Sequence, residues 1–135
     1  MNRLDIQIEN SNKVVIFVLF CIISIGLVIR FFYFPYGVPL SLDSVSYFSY
    51  AINISQTGNF PVNYDLVNNG WPTFLSPFFT ILKFDSFLEY MDTQRIISLV
   101  ISSLTVIPLY YLARKFFSKI LSLVAVALFI FEPRV

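Results

Sequence analysis

Histidine is missing from these 135 residues, cysteine occurs once, and only 13% of positions are charged. The first absence excludes His/Cys zinc sites and Cys–His nucleophilic pairs, and a lone cysteine closes no internal disulfide. Cys21 sits inside an apolar run and reads as an inert packing residue. Glycine is scarce, with four in the chain, and no Gly-rich phosphate loop occurs. A formal charge of +1 gives no electrostatic basis for a nucleic-acid partner. Any acid–base chemistry must therefore come from Asp, Glu, Tyr, Lys or Arg.

What is plentiful is apolar surface. The chain is 57% hydrophobic, with 16 Phe and 8 Tyr. A soluble domain of this length needs a charged shell that this composition does not supply, which points to a membrane protein. Val14 to Phe34 is apolar apart from Ser24, Gly26 and Arg30, long enough as a helix to cross a hydrocarbon layer of roughly 30 Å. The run is too long for a cleavable signal, and no small-x-small site follows it. A first span is assigned to 14–35, after a tail of 1–13. The second is expected over 96–117, opened by Asp92-Thr93-Gln94-Arg95, kinked at Pro108 and closed by Arg114 and Lys115. A third covers 120–135, although its apolar core from Ile120 to Phe131 extends only about 18 Å at helical rise.

Orientation follows from the Lys and Arg near the span ends. Arg114, Lys115 and Lys119 crowd the loop 118–119 and its flank, and Arg3 and Lys13 precede the first span. The segment 36–95 carries only Lys83 and Arg95 as basic residues, beside Asp43, Asp65, Asp85, Glu89 and Asp92. The N-terminus and the short basic loop are thus expected on the cytoplasmic side. The long loop then faces the extracytoplasmic or luminal side.

That loop is itself patterned. Val45, Phe48 and Ile52 share one helical face over 44–57, Tyr47, Tyr50 and Ile54 lie alongside, and Gly58 is a natural stop. This predicts an amphipathic interfacial helix with tyrosines at headgroup depth. Residues 59–70 read as polar loop. The apolar stretch 71–84 is too short to span, and Pro72 and Pro77 are expected to break it, giving a re-entrant or interfacial piece. The fold class is therefore all-α: a polytopic helical membrane protein with about three transmembrane segments in a single membrane domain.

Asp43 stands at the membrane border, where a helix N-cap belongs, and Asp is a favoured cap. Arg30 is an intramembrane charge, which is either functional or a surface anchor that snorkels. Glu132 either faces a cavity or pairs with Arg134. Asp65, Asp85, Glu89 and Asp92 read as solvated. Tyr47, Tyr50 and Trp71 serve as interfacial belt aromatics or as platforms for sugar. Asn53-Ile54-Ser55 is a formal glycosylation acceptor, disfavoured by its place in a helix.

Taken in order, these elements resemble the membrane glycosyltransferases of the GT-C type, which include the protein O-mannosyltransferase, aminoarabinose-transferase and oligosaccharyltransferase groups. The pattern runs through Arg30, then Asp43 with Tyr47 and Ala51, Gly58 and Pro61, and Trp71 to Pro77. It continues through Leu112-Ala113-Arg114-Lys115 to Pro133-Arg134. The resemblance implies inverting transfer of a sugar from a polyprenyl- or dolichyl-phosphate donor to a protein, lipid or glycan acceptor on the outer face. Asp43 would be the general base or a substrate- or metal-contacting carboxylate, with Arg30, Tyr47 and Glu132 binding substrate. The resemblance leaves room for a divalent cation, Mg or Mn, as cofactor, with no metal ligand beyond Asp43 suggested.

Such enzymes have many more spans, so the chain is expected to be an N-terminal fragment that is inactive alone. The competing reading is a small non-catalytic membrane subunit whose outer loop binds a lipid or protein partner. Transport is less well served, because Ser98, Ser102, Ser103 and Thr105 resemble helix-packing contacts more than a conduction path.

Overall fold

The computed structural model describes residues 11–40, 43–62 and 68–131, and among them every regular element is a helix. These are α1 (Asn12–Phe32), α2 (Asp43–Thr57), α3 (Gly70–Ile81), α4 (Phe87–Leu104), α5 (Val106–Ala113) and α6 (Lys119–Phe131). Among the described residues, two helical stretches are long and apolar enough to cross a membrane: Asn12–Phe32, and Phe87–Ala113, which joins α4 to α5. The described residues divide into two compact units, 11–34 with 97–131 and 35–96.

In the first unit, α1 and α6 run side by side in the same direction. Near their starts the Lys119 ammonium donates to Asn12 Oδ1 at 3.1 Å. Near their ends, a Cβ built on Gly26 would lie 2.6 Å from Ile130 Cδ1, so only glycine admits this approach. Val15 and Leu19 of α1, Val106 and Tyr110 of α5, and Leu123, Val126 and Ile130 of α6 form the core. Buried Ser103 and Ser122 donate their hydroxyl protons to the carbonyls of Leu99 and Ser118, four residues back, so small polar residues enter this core without unmet donors. Between α4 and α5 the helix is interrupted at Thr105. Pro108 has no N–H to offer the Leu104 carbonyl four residues back, which places the disturbance one turn before the proline rather than at it.

The second unit is held by aromatic rings. Phe48 of α2 meets Phe79 of α3 edge-on at 5.9 Å and Phe87 of α4 at 6.4 Å. Tyr90 of α4 meets Phe79 at 5.4 Å and Phe84 at 5.0 Å, and its hydroxyl accepts from the Phe84 backbone N–H at 3.1 Å. Ala51 and Leu75 are fully buried where α2 and α3 pack together. Edge-to-face pairs of this kind contribute about 0.5–1.5 kcal/mol each beyond simple burial. The helix expected over 44–57 ends where glycine was expected to stop it. Gly58 adopts φ +70 and its N–H returns to the Ile54 carbonyl at 2.8 Å.

Three expectations are corrected here. Pro72 and Pro77 do not break the apolar segment, because α3 is continuous from Gly70 to Ile81. Pro72 falls in the first turn, where an N–H has no helical partner in any case. Pro77 orphans the Thr73 carbonyl, and Ser76 Oγ donates to that same oxygen at 2.9 Å. The second long helix opens at Phe87, not at Asp92. Ser86 and Glu89 form a capping box there: Ser86 Oγ accepts from Leu88 N at 3.2 Å, and the Glu89 carboxylate accepts from Ser86 N at 3.3 Å. Glu89 is accordingly engaged in a cap rather than merely solvated.

Candidate functional site

Asp43 is the first described residue of α2. A carboxylate in the first turn still complements the positive end of the helix dipole. Its side chain is exposed and accepts no hydrogen bond from any described residue. Tyr47 follows one turn later on the same face and is half-buried. These two expected site residues are therefore neighbours.

Arg30 belongs to the other unit. Its guanidinium turns inward, donating to Ser102 Oγ at 2.6 Å and to the Ile130 carbonyl at 3.2 Å, while Nε finds no acceptor among the described residues. The Ile130 carbonyl lies near the end of α6 as described. Arg30 thus ties the end of α1 to α4 and α6. Glu132, the remaining expected site residue, and Asp65 lie outside the described residues. Among the described residues no three acidic or cysteine side chains gather into a metal-holding group.

The most heavily bonded polar group on the loop side is one that sequence reasoning treated only as a positive charge. Arg95 donates to the carbonyls of Pro35 at 3.4 Å, of Val38, and of Pro39 at 2.9 Å, and pairs with Asp92 at 3.2 Å. The other Asp92 oxygen accepts from Gly37 N at 3.1 Å. Asp92 is therefore engaged rather than merely solvated: its side chain is 22% exposed and that of Arg95 19%. Residues 35–38 form a turn with Gly37 at φ +68, a position that favours glycine, closed by Val38 N on the Pro35 carbonyl at 3.4 Å. The signal was present in Pro35-Tyr36-Gly37-Val38-Pro39, whose two prolines leave more carbonyls than N–H groups.

The acceptor Asn53 lies inside α2, and Thr57 Oγ1 donates to its carbonyl at 2.9 Å and to its side-chain oxygen at 3.4 Å. Its segment is helical instead of extended. Compared with protein-family models, curated proteins and solved structures, the chain matches none.

Proposed function

We propose that this chain supplies the first spans and first outer loop of a GT-C type membrane glycosyltransferase using a polyprenyl-phosphate-linked sugar. The observation that carries this reading is the ordered series Arg30, Asp43–Tyr47–Ala51, Gly58–Pro61, Trp71–Pro77 and Leu112–Lys115 along one chain. The spans are α1, α4 joined to α5, and α6, with α2 and α3 lying at the interface on the outer side. The parallel course of α1 and α6 supports this arrangement. It puts Lys13 and Lys119 at one end of the first unit, and the Arg114–Ser118 turn adds Arg114 and Lys115 there. Apolar residues exposed on α1, among them Ile16, Phe17, Phe20 and Val28, suit contact with lipid.

In the reaction, the acceptor heteroatom forms a bond to the anomeric carbon as the bond from that carbon to the phosphate oxygen breaks. The electron pair departs on the polyprenyl phosphate, and the acceptor proton passes to the Asp43 carboxylate, inverting the configuration. An exposed carboxylate without a partner among the described residues suits a role that requires access to an incoming acceptor. Tyr47, one turn away, offers a ring to the sugar and a hydroxyl that can hydrogen-bond to it.

The test is Asp43→Asn in the intact membrane protein at matched expression, assayed with a panel of radiolabelled polyprenyl-phosphate sugars. Loss of transfer by two orders of magnitude or more, about what general-base catalysis contributes, is expected. Full transfer would remove Asp43 from the chemistry. Should function survive Asp43→Asn and fail only when the Tyr47–Tyr50 face is altered, the non-catalytic partner-binding reading takes its place.

A further inference from the structure

The segment 35–39 contains five carbonyls but only three N–H groups, because Pro35 and Pro39 contribute none. An acceptor-rich stretch of this kind needs a donor that asks for nothing in return. Arginine, with five N–H donors and no acceptor, is that donor. Arg95 gathers the Pro35, Val38 and Pro39 carbonyls, while Asp92 takes the Gly37 N–H and holds the guanidinium in place. Both side chains come from α4, whose Phe87 and Tyr90 pack against α2 and α3 through Phe48 and Phe79. The turn and α2 are thereby both referenced to one helix, and Asp43 lies four residues beyond Pro39 and opens α2.

We infer that Arg95 is a positioning residue: by fastening the 35–39 turn to α4 it fixes the entry of the chain into α2 and so the placement of the Asp43 carboxylate. The catalytic part of this inference rests on the glycosyltransferase reading above; the placement part does not. Lysine cannot substitute, because an ammonium lacks the planar fork that reaches three carbonyls and a carboxylate together.

The experiment uses the intact membrane protein with Cys21→Ser as background and a nitroxide label on Ser46→Cys, an exposed position of α2 beside Asp43. A second label on Thr80→Cys, exposed on α3, is the control. In Arg95→Gln the label at 46 should gain a mobile component while that at 80 does not change. Transfer should fall at least tenfold in kcat with KM little altered, and Arg95→Lys should behave like Arg95→Gln. Unchanged mobility at 46 in a folded Arg95→Gln protein would overturn the inference. Should Arg95→Gln loosen both labels, Gly37→Ala decides, since it disturbs the same turn and removes no charge. Loosening at 46 alone upholds the clamp, and an unchanged label sinks it. If Asp43→Asn retains full transfer, the catalytic reading fails by itself, and the label still reports whether Arg95 places α2.

Discussion

The two units of this chain solve the same problem with different materials. In the first, aliphatic residues and small polar ones pack helices by shape: Gly26 lets α1 approach Ile130, and buried Ser103 and Ser122 bond to carbonyls four residues back. In the second, Phe48, Phe79, Phe84, Phe87 and Tyr90 interlock edge to face, and a paired Arg95 and Asp92 hold a proline-bracketed turn. The contrast follows the surroundings proposed for each. Between helices surrounded by lipid, hydrophobic burial gives little net drive, so close approach and van der Waals contact decide. At a wet border, burying large rings is favourable, and exposed carbonyls require donors.

The contrast can be broken from either side. Phe79→Ala removes the ring that touches both Phe48 and Tyr90, and should destabilise the second unit by about 3–5 kcal/mol. Hydrogen exchange resolved by segment should then rise over α2 and α3 and stay low over α6. Equal acceleration in α6 would show that the two units do not act separately. Gly26→Val tests the first unit, because the added atoms collide with Ile130. A loss of about 1–3 kcal/mol is expected in detergent unfolding, partly restored by Ile130→Ala, which vacates the colliding volume. The smallest effect is Ser86→Ala, which removes half of the capping box at the start of α4. About 1 kcal/mol should be lost, read as fraying near Phe87 with the rest of α4–α5 protected.

The helices were legible in the sequence wherever apolar periodicity ran long and ended in a plain stop. That holds for α1, bounded by its apolar run, and for α2, ended by Gly58. The prolines of α3 misled because their cost depends on local supply: Pro72 asks for nothing in a first turn, and the Ser76 hydroxyl serves the carbonyl that Pro77 abandons. The start of α4 was missed because Ser86-x-x-Glu89 announces a cap before any apolar run begins. At the candidate site, the Asp43–Tyr47 pairing was legible as a spacing of four on one helix. Asp92 was misread as solvated although Arg95, three residues on, offered a local partner; its second partner, Gly37, lies 55 residues away in sequence, beyond the reach of any local pattern. Arg30 was expected to face either lipid phosphate or the membrane surface. Its bonds to Ser102 and Ile130 span 72 and 100 residues of sequence and could be found only from the fold.

The dependence of Pro77 on Ser76 also constrains the order in which this segment can change. A proline inside a helix costs about 3 kcal/mol, and part of that is the stranded carbonyl one turn back. Since Ser76 is buried, no water can replace its hydroxyl there at little cost. Losing the serine first therefore leaves a helix that tolerates the proline poorly, whereas losing the proline first leaves a serine whose bond is merely redundant. Substitutions at these adjacent positions are consequently not interchangeable steps. The path that keeps α3 intact at every stage acquires the hydroxyl before the proline and gives up the proline before the hydroxyl.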